Sequence, residues 1–115
     1  MRAALALLLT LTATSAFADT GQAVFNDKCG DCHTTDAAST ETAPSLKGVV
    51  GRPVASLKDF QYSDALKAKG GVWSEAALDA FLANPQTYAP GTNMYGGAPD
   101  AGDRKAIIDY LKTVK

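Results

Sequence analysis

Residues 29–33 read Cys29-Gly30-Asp31-Cys32-His33, and the rest of the chain is best understood outward from them. Two thiols three residues apart stand on one helical turn, and an imidazole follows directly. This C-x-x-C-H spacing is the attachment signature of a c-type haem. Each thiol can add to one vinyl group of the porphyrin, and the His can turn beneath the ring to bind iron through an imidazole nitrogen. Two other readings compete. A dithiol redox pair of the thioredoxin kind needs a βαβ setting. Strand signals are poor here, with no sustained alternation of Val, Ile, Thr and aromatics. A plain disulfide suits an exported chain. The position of His33 directly after Cys32 favours the haem over both.

The composition agrees with this and excludes much else. The 115 residues include one His, two Cys, two Met and one Trp. With 46% hydrophobic and 20% charged residues, the chain is foldable and of one-domain length. Eleven basic and twelve acidic side chains, with no long Lys/Arg run, argue against nucleic-acid binding. One His and two Cys cannot fill a four-ligand zinc site of the Cys/His type. A Ser-His-Asp hydrolase would need the His already taken by the motif.

The N-terminus reads as an address. Met1-Arg2, an apolar run over 3–13 and the small residues of Ala16-Phe17-Ala18 predict a signal peptide over 1–18, cleaved before Asp19. The single mature domain is then 19–115. The run is too short to span a hydrocarbon core, which takes roughly 20 apolar residues, so no stable membrane insertion is expected. Cleavage removes Arg2 and Met1. It lowers the formal net charge from −1 by one unit and leaves Met94 as the only thioether. With His33 used, Met94 is the candidate sixth iron ligand. It sits in a stretch holding Gly91, Gly96, Gly97, Pro90 and Pro99, where a side chain reaches inward without a regular element. The competing role is a core gap-filler. Met/His is a common axial pair for such haems, and the soft thioether favours Fe(II), raising the potential.

Helix signals are short and punctuated. Thr20 is expected to cap a helix from Gly21 to about Cys29. Ser63 caps Asp64 to Lys69, which Gly70-Gly71 ends. Ser74 caps Glu75 to Ala83, which Pro85 stops. Residues 88–99 form a loop. Asp100 caps a last helix with an apolar stripe of Ile107, Tyr110, Leu111 and Val114.

Many ordered residues carry a resemblance across nearly the whole mature chain. Gly21 and Phe25 precede the haem motif. Pro44-Ser45-Leu46-Lys47-Gly48, Gly51-Arg52 and Phe60-Gln61-Tyr62-Ser63-Asp64-Ala65 follow. Gly70, Trp73, Leu78, Asn84-Pro85, Tyr88, Pro90-Gly91-Thr92-Asn93-Met94 and the stretch 107–111 complete the set. In this order they resemble class I cytochrome c of the mitochondrial and short bacterial periplasmic type. The resemblance implies an all-α cytochrome c fold, several short helices and long loops wrapped around one covalently attached haem c. It implies a soluble, monomeric, periplasmic one-electron carrier of a respiratory chain, not an enzyme. Its partners would be a quinol:cytochrome c oxidoreductase, a terminal oxidase, a reaction centre or a periplasmic dehydrogenase. It implies that the Pro44 carbonyl orients His33, that Arg52, Tyr62 and Trp73 hold the haem propionates, and that Thr92 stands beside the axial Met94. Gly21 and Phe25 would face the last helix near Tyr110.

Departures from the mitochondrial pattern carry expectations too. Phe81 and Leu66 replace a Tyr and an Asn, which predicts a drier distal side with only Thr92 polar. Gln86, Thr87, Asn93 and Asp100 stand where lysines surround the haem edge of mitochondrial relatives. Lys28 remains, and Lys47, Lys58 and Lys69 can contribute. Electrostatic steering of partners should therefore be weak. The alternative function is a haem peroxidase or gas-binding protein with a displaceable sixth ligand, which Met94 in its loop argues against.

Overall fold

The structure is a computed structural model and describes residues 16–115. The expected signal peptide therefore lies largely outside the described residues. Five helices follow in order: α1 Ala16–Lys28, α2 Asp64–Lys69, α3 Glu75–Ala83, α4 Pro85–Tyr88 and α5 Ala101–Leu111. Among the described residues the one β pairing is an isolated antiparallel bridge between Pro53 and Val72. The fold is all-α.

Local chemistry sets most helix ends. The side chains of Ser63, Ser74 and Asp100 accept from the backbone N–H of Leu66, Ala77 and Asp103, three residues on in each case. Each satisfies a donor that the first helical turn leaves orphaned. Gly70, at φ +61°, ends α2 in a conformation that costs an L side chain strain. Three ends differ from the sequence expectation. In the full-length chain Thr20 lies inside α1, not at its cap, because Ala16-Phe17-Ala18 contains nothing that stops a helix; cleavage before Asp19 would remove that first turn. Pro85 ends α3 and also begins α4. Its fixed φ suits the first position of a new helix, and Asn84 Oδ1 accepts from Thr87 N at 3.2 Å. Val114 lies beyond α5, where its carbonyl accepts from Gly48 N at 2.8 Å.

The frame is the crossing of α1 and α5. A Cβ on Gly21 would stand 2.9 Å from Tyr110 Cβ and closer still to the Ala106 carbonyl oxygen, so only glycine allows this approach. One turn on, Phe25 meets Tyr110 with ring centroids 5.4 Å apart. Ile107, Ile108 and Leu111 of α5 are buried with Phe25, and Leu78, Phe81 and Leu82 bring α3 onto the same core. Long irregular segments, 29–63 and 89–100, close around the remaining side.

Candidate haem site

The attachment turn grows out of the end of α1. Cys29 N and Gly30 N both donate to Phe25 O, at 2.7 and 3.0 Å. Cys32 N and His33 N both donate to Cys29 O, at 3.2 and 2.9 Å. Gly30 passes close to α1, since a Cβ there would stand 2.8 Å from Asn26 O. The two sulfurs are not joined to each other; Cys29 is half-buried and Cys32 exposed. Burial pushes the Cys29 thiol up to about 11, with Lys28 opposing.

His33 Nδ1 lies 2.8 Å from the Pro44 carbonyl oxygen. A carbonyl only accepts, so Nδ1 carries the hydrogen and Nε2 keeps its lone pair for a metal. Burial lowers the His33 pKa; the Pro44 bond opposes this and the Arg52 charge adds to it. Pro44 is brought there by a neighbour that sequence reasoning missed. The Thr40 hydroxyl donates to Cys32 O at 2.9 Å and accepts from Ala43 N at 3.0 Å, tying the loop back to the attachment turn.

Arg52, Tyr62 and Trp73 come together on another wall. The Arg52 guanidinium donates to Lys47 O at 3.1 Å and Ser45 O at 2.9 Å, while its Nε is buried without a partner among the described residues. Tyr62 is buried, and its hydroxyl accepts from Leu57 N at 3.3 Å. Trp73 exchanges backbone bonds with the same loop, accepting from Gly51 N and donating to Arg52 O. Its ring packs on Phe81 at 5.1 Å and on Tyr88 at 6.0 Å.

The loop 89–98 supplies Thr92 and Met94. Thr92 is 1% exposed, and its Oγ1 is buried with no hydrogen-bond partner among the described residues. Met94 packs against the core cluster. Gln86, singled out only as a place without a lysine, reaches this loop with both ends of its carboxamide. No sequence signal announced that contact.

A cavity of about 260 Å³ gathers these groups. Cys29, Cys32, His33, Pro44, Arg52, Tyr62, Trp73, Thr92 and Met94 all line it. The rest of its wall is mostly apolar and includes Leu46, Val49, Leu66, Leu78, Phe81, Ile107 and Leu111. The donor set fits a haem. Flat apolar faces need apolar walls, and two thiols and an imidazole stand at the attachment turn. A buried guanidinium N–H and a buried hydroxyl have bonding capacity left for polar groups within. Buried polar atoms are otherwise nearly always paired. Phe81 and Leu66 put carbon where the mitochondrial pattern has polar side chains.

Comparison with known proteins agrees with this geometry. The family pattern of cytochrome c matches residues 18–115. The chain is 39% identical to cytochrome c type-1 of Ascaris suum over 95 residues, covering 82% of this chain and 85% of that one. It is 40% identical over 98 residues to the cytochrome c-type cyt cy of Rhodobacter capsulatus, covering 84% of this chain and 49% of that one. Among solved structures, cytochrome cH from Methylobacterium extorquens superposes with a TM-score of 0.77 at 38% identity, covering 84% of this chain and 97% of that one. The chain belongs to the cytochrome c family of electron-transfer proteins, and its cofactor is one haem c attached through Cys29 and Cys32.

Proposed function

We propose that the protein is an exported one-electron carrier in which His33 and Met94 are the axial ligands. The observation that carries this reading is that His33, oriented by Pro44, and the Met94 loop line one cavity. When bound, the haem supplies an Fe(III)/Fe(II) couple. The chain's own residues set its conditions. The Pro44 bond fixes the tautomer and direction of His33 and increases its basicity. Met94 offers a thioether, which favours the reduced state. Arg52, Tyr62 and Trp73 hold the propionates, with Arg52 Nε as the donor still free to do so. The apolar wall of Phe81, Leu66 and Leu78 keeps water from the ring and further disfavours the more highly charged oxidised form.

The partners are periplasmic or membrane redox proteins: a quinol:cytochrome c oxidoreductase, a terminal oxidase, a reaction centre or a dehydrogenase. Export is argued from the charged start, the apolar run over 3–13 and the small residues of Ala16-Phe17-Ala18. No helix among the described residues is long and apolar enough to cross a membrane. Docking relies little on charge. Lys28 is paired with Asp103 at 3.7 Å, and Asp100 is committed to capping α5.

Optical spectra of the purified protein test the ligation. A low-spin spectrum with a methionine–iron charge-transfer band, unchanged by carbon monoxide, is the expected result. Five-coordinate or carbon-monoxide-reactive iron would refute it in favour of a peroxidase or gas-binding role. N-terminal sequencing of the exported protein should begin at Asp19.

A further inference from the structure

We propose that the Gln86 carboxamide is the positioning residue that holds the Met94 loop shut against the cavity. Its Nε2 donates to Thr92 O at 2.7 Å and to Met94 O at 3.2 Å, while its Oε1 accepts from Gly91 N at 3.3 Å. The orientation is not arbitrary: two carbonyls can only accept and one amide N–H can only donate. One side chain thus bonds the backbone of three of the four residues 91–94. Lysine could serve the two carbonyls but not the Gly91 N–H. Glutamate could serve the N–H but would set a carboxylate against two carbonyl oxygens.

Apart from Gln86, hydrogen bonds hold the loop only at its two ends. Among the described residues its backbone bonds are Ala89 N to Pro85 O and Thr92 N to Ala89 O, both at 2.9 Å, at one end, and Ala98 N to Leu82 O at 2.8 Å at the other, where Arg104 also donates to Ala98 O at 3.1 Å. Met94 lies between them. Gln86 is itself fixed from behind. A four-residue helix does not persist alone, yet α4 is capped by Asn84, and Tyr88 stacks on Trp73 with Lys69 Nζ 4.2 Å from its ring centroid. Pro85 is buried under Gly97, where a Cβ would stand 3.1 Å from the proline ring. Gln86 does not line the cavity. It acts through the backbone that presents Met94, and so sets how often that side chain leaves the sixth iron position. This last step rests on Met94 being the axial ligand.

The test uses the holoprotein with Gln86→Leu and Gln86→Lys. Amide hydrogen exchange is measured at Gly91 and, as a reference, at Ile107 and Ile108. Carbon monoxide binding to the reduced protein and the thermal midpoint of the charge-transfer band are measured alongside. Gln86→Leu should speed Gly91 exchange by about tenfold, with the α5 amides within about twofold, and should give the reduced protein a carbon monoxide reaction that the parent lacks. Gln86→Lys should speed Gly91 exchange similarly and react with carbon monoxide less. Unchanged Gly91 exchange in Gln86→Leu overturns the proposal. So does acceleration of Gly91 and α5 together, which marks general destabilisation. Absence of the charge-transfer band in the unmutated protein would sink the Met94 assignment instead, and the Gly91-to-α5 ratio would still judge the clamp.

Discussion

Replacing Gly21 by Ala tests the packing on which the frame depends. By helix propensity alone the change should help, since alanine is favoured over glycine inside a helix by about 1 kcal/mol. The structure predicts the opposite sign. The new Cβ would stand 2.9 Å from Tyr110 Cβ and 3.2 Å from the Ala106 carbonyl carbon, and closer still to its oxygen. Carbon atoms pack best at about 3.5–4.0 Å, so α1 and α5 must part by something approaching 1 Å. That gap opens beside Phe25, Ile107 and Leu111, which are 3%, 1% and 3% exposed. Forced overpacking of this kind costs about 1–3 kcal/mol. Overlap with a backbone carbonyl puts the cost at the upper end of that range, so against the propensity gain the net loss is about 2 kcal/mol, or a Tm lower by about 8–16 °C in a domain of this size. No substitution at Tyr110 rescues it, because the nearer colliding atom is the Ala106 backbone carbonyl oxygen. Urea unfolding of the holoprotein, followed by circular dichroism, reads the midpoint. A Gly21→Ala protein as stable as the parent would refute the close crossing.

Three further outcomes follow from the same geometry. Arg104 is bonded to Asp79 at 2.8 Å and to the carbonyls of Ala98 and Pro99 at 3.1 and 2.7 Å, so Arg104→Met should cost about 2 kcal/mol in urea unfolding, and Arg104→Lys should recover less than half of it. Asp59 accepts from Ser39 N and Ser39 Oγ, both at 2.8 Å, and these bonds hold its carboxyl below the usual 3.8. The folded state then binds this proton less readily than the unfolded state, so the contribution is full above the ordinary carboxylate range and disappears as pH falls through the lowered value. Stability curves of the parent and Asp59→Asn should converge on acidification through that window, and parallel curves would contradict the linkage. Electron-transfer rates with a membrane redox partner should change by less than about threefold over a tenfold rise in salt, because Lys28 is already paired and neutral residues occupy 86, 87 and 93; a steep fall would contradict weak steering.

What the sequence disclosed follows the range of each interaction. Ser63, Ser74 and Asp100 were readable as caps because the cap and the amide it serves are three residues apart. The C-x-x-C-H turn was readable because its chemistry is contiguous. The start of α1 was not, since nothing in Ala16-Phe17-Ala18 marks a boundary and Thr20 has the right side chain in the wrong place. Helix α4 escaped because four residues carry no period, and Pro85 announces a stop as loudly as a start. The site shows the same division. Pro44, Arg52, Tyr62 and Trp73 came from resemblance, and no local pattern pointed to them. Thr40 and Gln86 came from neither. Their bonds join a side chain to backbone carbonyls eight residues away in sequence, at Cys32 and Met94, and depend on the path of a loop that has no periodicity to read.

That path explains how a chain so poor in regular structure makes a defined pocket. Irregular backbone leaves carbonyls without ladder partners, and those near a core must find donors. Here the donors are the side chains that also shape the cavity wall or back it. His33 serves Pro44 O, and Arg52 serves Ser45 O and Lys47 O. Thr40 serves Cys32 O, and Gln86 serves Thr92 O and Met94 O. One set of bonds therefore does two jobs: it satisfies the loop and aims the site. Removing any of these side chains should loosen a loop and misdirect a cavity group together. Substituting a surface residue such as Thr87 should do neither. The coupling favours a pocket whose groups stay in place while the charge inside it changes, as an electron carrier requires.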